Sequence, residues 1–148
     1  DGRGLDFLLL ANTYSLLEHG GLELFDACAA AGVSVVVGGP FSSGILVTGA
    51  DPPDAATNPP RFNYEPAPAP VRATARALEA ACARHGVKLA AAALQFPLAH
   101  PAVACVIPGG KSAAEVSSNV ELMNTPIPAA LWTELKAEGL LPDALPTP

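Results

Sequence analysis

Val106–Asn119 reads V-I-P-G-G-K-S-A-A-E-V-S-S-N, and the fold turns on how this stretch is read. A short apolar run stops at Pro108, two glycines follow, and S-A-A-E from Ser112 to Glu115 has the spacing of a capping box that opens a helix. Glycines at 109 and 110 free backbone N–H groups to approach an anion just before a helix N-terminus, where the helix dipole favours negative charge. Two architectures place a phosphate in such a loop. The mononucleotide loop G-x-x-x-x-G-K-S fits poorly, because its first glycine would fall on Cys105 and Pro108 removes one N–H of the cradle. The phosphate site of a (β/α)8 barrel, built from the loops after its last two strands and a helix N-terminus, suits the residues better.

The rest of the chain supplies the alternation that a barrel needs. Asp6–Ala11, D-F-L-L-L-A, is a short apolar run of the kind found in parallel strands buried on both faces. Leu22, Phe25 and Cys28 or Ala29 recur at helical spacing before Gly32, a helix C-terminal glycine. Val33–Val37 is β-branched and predicts a second strand, which Gly38, Gly39 and Pro40 are expected to end because they cannot extend a central strand. Asp51–Pro70 holds seven prolines and predicts a long loop without helix or ladder. Val71, Ala75, Leu78, Cys82 and His85 then mark one face of a helix that stops at Gly86. Leu89–Leu98 predicts a helix despite Pro97, and Ala102–Ile107 a third strand. Ser112–Met123 predicts a helix with Val116, Val120 and Met123 on one face, and Pro128–Glu138 a last helix with Pro128 in its first turn.

This is an α/β order with parallel strands. Three strands cannot close a barrel, which takes about 250 residues. The 148 residues therefore predict one partial domain, 1–148, forming the C-terminal part of a (β/α)8 barrel. In such folds the working residues gather at the C-terminal ends of the strands, here Asn12, Thr13 and Tyr14, then 38–44, then 108–112.

Composition narrows the function. With half of its residues hydrophobic, 15% charged and a net charge of −6, the chain can fill a core but offers no basic surface, so nucleic acid and anionic membrane are poor partners. The three cysteines form no C-x-x-C pair and lie near no histidine cluster, which indicates neither disulfides nor a metal site and fits a reducing cytoplasm. No stretch nears the roughly 20 apolar residues of a membrane span. Asp1 opens no signal peptide, and the abrupt start before a strand points to a piece of something longer.

Four stretches, A-N-T-Y-S-L-L-E (11–18), G-G-P-F-S-S-G-I-L (38–46), A-L-Q-F-P-L-A-H-P (93–101) and the opening 106–119, together resemble the C-terminal half of an aldo-keto reductase. The likeness is closest to the sugar-dehydrogenase branch that includes D-threo-aldose (L-fucose) 1-dehydrogenases and pyridoxal 4-dehydrogenases. It implies that the three strands are the sixth to eighth of the barrel and that NAD or NADP is bound without a Rossmann domain. It places the pyrophosphate on Gly39, Pro40, Phe41, Ser42 and Gly44, and the adenosine end on Gly109, Gly110, Lys111, Glu115 and Asn119. The implied reaction is hydride transfer from an aldose or a similar small alcohol or carbonyl compound.

Departures qualify the resemblance. Ala11 and Gly38 stand where many members carry a Gln for the nicotinamide amide and an aromatic residue for its ring. Glu115 stands where NADP-preferring members carry Arg, which favours NAD, although a capping role explains it equally well. The family's Asp, Tyr, Lys and His tetrad belongs to the first half of the barrel, so no catalytic residue is expected here and the chain alone should be inactive. Tyr14 is expected to pack, Tyr64 to lie in a loop, and His19, His85 and His100 to sit on the surface or at helix ends. The partners implied are a small-molecule substrate and the missing N-terminal barrel half. Two other readings compete, a non-catalytic binding or regulatory module and a self-associating barrel fragment.

Overall fold

The computed structural model describes residues 4–148. Its centre is a three-stranded parallel sheet of β1 (Phe7–Ala11), β2 (Ser34–Gly38) and β5 (Val103–Ile107), with β2 in the middle. Between β1 and β2 runs α1 (Leu22–Ala31), closed by Gly32 in the left-handed region at φ 70°. After β2 come a 3-10 turn (Ser42–Gly44), the short α2 (Ile45–Thr48), a small antiparallel hairpin of β3 (Arg61–Phe62) and β4 (Glu65–Pro66), then α3 (Ala69–Arg84) and α4 (Leu89–Gln95). Past β5 lie α5 (Ala113–Met123) and α6 (Ala129–Ala137). Three parallel strands with helices between and around them are part of a (β/α)8 barrel, as the alternation predicts.

Strand pleating sorts the side chains. Val35, Val37 and Val103 point to the helical layer and are buried there with Phe25, Leu78, Leu94 and Phe96. Helix α4 is apolar on every side, and all residues from Leu89 to Leu94 are buried. Its alanines let α2, α3 and α5 pack against it. No helix of the described residues is long and apolar enough to cross a membrane.

The structure corrects several expectations. The strands are buried on one face only, since Phe7 is 64%, Leu9 54% and Ile107 49% exposed on the other. Gly38 does not end the ladder but belongs to it, paired with Ala11 on one side and Ile107 on the other. Ala11 explains why glycine fits, because a Cβ at position 38 would meet the Ala11 Cβ at 3.2 Å. The Pro-rich stretch is not without ladder, as Pro66 lies in β4 and Pro70 in the first turn of α3, where no N–H is needed. Pro128 precedes α6 as its N-cap instead of entering the first turn. Val116 and Val120 share a face of α5, but that face is exposed and Leu122 is the buried residue of the helix.

His85 caps α3 as expected, whereas His100, at the end of the 3-10 turn Phe96–Ala99, is buried. The Ala102 N–H donates to His100 Nδ1 at 3.2 Å, which leaves the ring proton on Nε2, facing Asp26 Oδ1 at 3.3 Å. His100, Phe25, Phe96 and Tyr14 form one aromatic cluster, with Tyr14 centroids 4.8 Å from Phe25 and 5.2 Å from Phe96. Tyr14 is therefore a packing residue, 1% exposed, and its hydroxyl has no hydrogen-bond partner among the described residues.

Burial, with a smaller contribution from Asp26, pushes the Tyr14 phenol up to about 12. A folded value above the unfolded one means a stabilising contribution that is complete below pH ~10 and lost as the pH climbs toward 12. Tyr14→Phe is expected to abolish this alkaline loss. At pH 7 the same variant, by deleting an unpartnered hydroxyl, should equal or exceed the parent by up to about 1–2 kcal/mol in urea unfolding. A clear destabilisation at pH 7 would mean that the hydroxyl has a partner.

Candidate functional site

The register of the sheet builds one edge. Ala11, Gly38 and Ile107 lie side by side, so the segments after all three strands leave from the same end of the sheet. Backbone strain collects there. Asn12, Gly39, Ser42, Ser43 and Gly44 all have positive φ, between 48° and 100°. For the non-glycine residues such a conformation costs of the order of 1–3 kcal/mol each and persists where surrounding contacts hold it.

Those contacts are specific. The Ser42 hydroxyl donates to Ser15 Oγ at 2.9 Å, with both residues buried, which ties the segment after β2 to the segment after β1. The Ser42 N–H donates to the Gly39 carbonyl at 3.0 Å, and the Gly44 N–H to the Phe41 carbonyl at 2.9 Å. Ser43 Oγ accepts the Tyr64 N–H at 3.0 Å, so the β3–β4 hairpin rests on this turn while the Tyr64 side chain stays exposed. At the base of the loop Asp51 takes Arg72 and Arg76, whose guanidinium hydrogen bonds hold its carboxyl below the usual carboxylate range.

The loop after β5 is arranged differently. Ser112 is the N-cap of α5, its Oγ accepting the Glu115 N–H at 3.1 Å. The Glu115 carboxylate reaches past Ser112 to accept the Lys111 N–H at 2.9 Å, a capping box shifted outward by one residue. Asn119 Nδ2 donates to the Gly109 carbonyl at 3.1 Å, folding the glycines back onto the helix. A Cβ on Gly110 would press on Val116 at 3.3 Å, whereas one on Gly109 would meet nothing. Among the described residues the N–H groups of Gly109, Gly110, Ser112, Ala113 and Ala114 have no partner, and Lys111 makes no ion pair.

The edge thus gathers Gly39, Pro40, Phe41, Ser42 and Gly44 in one loop and Gly109, Gly110, Lys111, Glu115 and Asn119 in the next. Their availability differs. The second loop offers unpartnered amides beside a lysine at a helix N-terminus, a donor set that suits a phosphate. In the first, the Ser42 hydroxyl is engaged with Ser15. Sequence reasoning carried Asn12 no further than its place at a strand end, although Asn tolerates the left-handed conformation that a sharp exit from a strand requires.

The capping geometry can be tested directly. Ser112→Ala should cost about 0.5–2 kcal/mol in thermal or urea unfolding. Glu115→Gln, which keeps an acceptor for the Lys111 N–H, should cost less than Glu115→Ala.

Comparison with known proteins places this geometry. Residues 1–138 match the model of the aldo/keto reductase family. The chain is 38% identical over 138 residues to pyridoxal 4-dehydrogenase of Microbacterium luteolum, covering 93% of this chain and 39% of that protein. It is 34% identical over 139 residues to D-threo-aldose 1-dehydrogenase of a Pseudomonas species, covering 93% of this chain and 41% of that one. Among solved structures it superposes on an aldo-keto reductase from Bacillus halodurans, with TM-score 0.68 and 27% identity over 97% of this chain and 46% of that chain in the apo form. For the holo form the TM-score is 0.64, with 28% identity over 93% of this chain and 44% of the other. The chain spans about two fifths of the length of the curated relatives that it matches.

Proposed function

This chain belongs to the aldo/keto reductase family, a family of oxidoreductases, and on that premise we propose that it is the dinucleotide-binding part of an NAD(P)-dependent dehydrogenase acting on an aldose or a related small alcohol or carbonyl compound. Residues 1–148 would be one partial domain, completed by the N-terminal part of the barrel. The observation that carries the reading is the loop after β5. The unpartnered amides of Gly109, Gly110, Ser112, Ala113 and Ala114 lie beside Lys111 at the capped end of α5, on the edge where Gly38 and Ile107 also end.

In this reading the residues present suit the cofactor. The amides and Lys111 hold a phosphate of the adenosine end, and Asn119 keeps the two glycines folded toward it. Gly39, Pro40, Phe41 and Gly44 would hold the pyrophosphate, and Ser42, through its bond to Ser15, would fix the loop. Bound NAD(P) supplies the acceptor or donor of hydride. Beyond the loops, the paired strand ends carry only small side chains, at Ala11 and Gly38. The reading assigns the groups that move the proton to the remainder of the barrel, and the enclosure of Tyr14 in the core supports it. The pyridoxal and aldose relatives support this choice of substrate class.

In the full-length protein, Lys111→Ala should weaken dinucleotide binding by roughly 1–2 kcal/mol, an effect that fades with added salt and leaves kcat nearly unchanged. Titration of NADH or NADPH fluorescence checks it, and a wild-type protein that binds neither would favour the non-catalytic module instead. Glu115 sets the second test. Its carboxylate opposes a 2′-phosphate and accepts ribose hydroxyls, so the protein should prefer NAD, and Glu115→Arg should shift the preference toward NADP by about 1–3 kcal/mol in kcat/KM. An unchanged ratio with a lowered melting temperature would confine Glu115 to its bond with Lys111.

A further inference from the structure

Tyr64 is an exposed aromatic residue that neither its turn nor the core explains. The β3–β4 hairpin turns on two residues, Asn63 and Tyr64, with φ of 49° and 67°. Two positive φ values are what a tight two-residue hairpin turn demands, and Asn and Gly meet that demand at the least cost. Asn63 follows the rule. At position 64 a bulky side chain stands in the left-handed region, where it is an outlier. No burial compensates for it, because Tyr64 is 71% exposed, and its side chain meets no other ring and makes no hydrogen bond among the described residues.

Its backbone is nevertheless held at both polar groups. The N–H donates to Ser43 Oγ at 3.0 Å, and the carbonyl accepts Arg61 Nη1 at 2.9 Å. Beyond the turn, the Ala67 N–H donates to the Pro60 carbonyl at 2.8 Å and closes the base of the hairpin. Ser43 belongs to the segment that leaves β2, so the hairpin is seated at the strand-end edge. Strained backbone that surrounding contacts keep in place is a mark of function. An aromatic side chain carried rigidly in this way gives a ligand a large contact area at little entropic cost. We propose that Tyr64 binds the substrate, laying its ring on the flat face of a small ring compound, a cyclic aldose or pyridoxal. This rests on the dehydrogenase reading above and adds to it a residue that holds the substrate, distinct from those assigned to the dinucleotide.

Two variants separate the roles that the ring could play. Tyr64→Asn removes it while suiting the left-handed backbone, and Tyr64→Phe keeps it and removes only the hydroxyl. In the full-length protein, oxidation of L-fucose and of pyridoxal is followed at saturating dinucleotide, dinucleotide affinity by fluorescence titration, and folding by a thermal melt. Tyr64→Asn should raise the KM of the compound that the parent oxidises better by about 3- to 10-fold, the range for one aromatic contact, with kcat within twofold. Tyr64→Phe should keep both constants of the parent. Dinucleotide affinity should stay within twofold in each variant, and the melting temperature of Tyr64→Asn should equal or exceed the parent's. An unchanged KM in Tyr64→Asn would overturn the assignment. Weaker dinucleotide binding would overturn it too, placing the ring on the cofactor, and so would a lower melting temperature, placing it against the rest of the barrel. A loss of kcat in Tyr64→Phe would replace substrate binding by proton transfer through the phenol. A parent that oxidises neither compound would instead remove the dehydrogenase reading itself, and the assignment of Tyr64 with it.

Discussion

Hydrogen bonding of β2 to both of its neighbours, with Ala11, Gly38 and Ile107 in register, is the constraint on which the rest of the molecule depends. Parallel strands start at one end and finish at the other, so a shared register brings three chain segments far apart in sequence to one edge. The β2–β5 ladder slips once, between Val35 and Val36, and Ala104 is the residue passed over. That irregularity returns Cys105 and Ile107 to the same face as Val36 and Gly38. Without it Ile107 would turn toward the helices and the β5 loop would leave in a different direction.

Edge and core are built differently. The helical layer is closed and apolar, from the alanines of α4 to the ring cluster around Tyr14. At the edge the chain departs from low-energy backbone at Asn12, Ser42 and Ser43 and is held there by few, directed contacts. Such concentration of left-handed residues is expected where backbone must be shaped around a ligand instead of packed. The loop after β5 reaches the same end by a different route, with an ordinary capped helix and amides that the cap leaves open.

The inner face of the sheet carries Phe7, Leu9 and Ile107 toward solvent. In a (β/α)8 barrel the side chains of this face fill the interior, layer on layer, against those of the other strands. Their apolar character is what such packing calls for, and so is the exposed Val116–Val120 face of α5 at the flank. Both observations agree with a chain that spans about two fifths of its relatives.

The sequence by itself determined the elements and their order. Gly32 and Gly86 stop helices because a left-handed C-terminal residue is a local need that glycine meets, and both stand there with φ near 70°. Ser112 and Glu115 announce a helix start three residues apart, and the cap forms with both side chains engaged. The four stretches that resemble the family pointed to the family that the matches bear out. Tertiary structure decided what depends on residues distant along the chain. Gly38 pairs within the ladder opposite Ala11, whose Cβ leaves a side chain at 38 only 3.2 Å, a contact no reading of 33–40 alone contains. The Ser42 hydroxyl found its partner in Ser15, 27 residues away, and a proline-rich stretch gained a hairpin by resting on Ser43 across 21 residues. The Asn12 side chain lies where only a glycine at 39, just past the end of the next strand, leaves space for it. Helix stops and caps are set by interactions spanning a few residues, whereas register, burial and the direction of a side chain are set by partners that only the folded chain brings near.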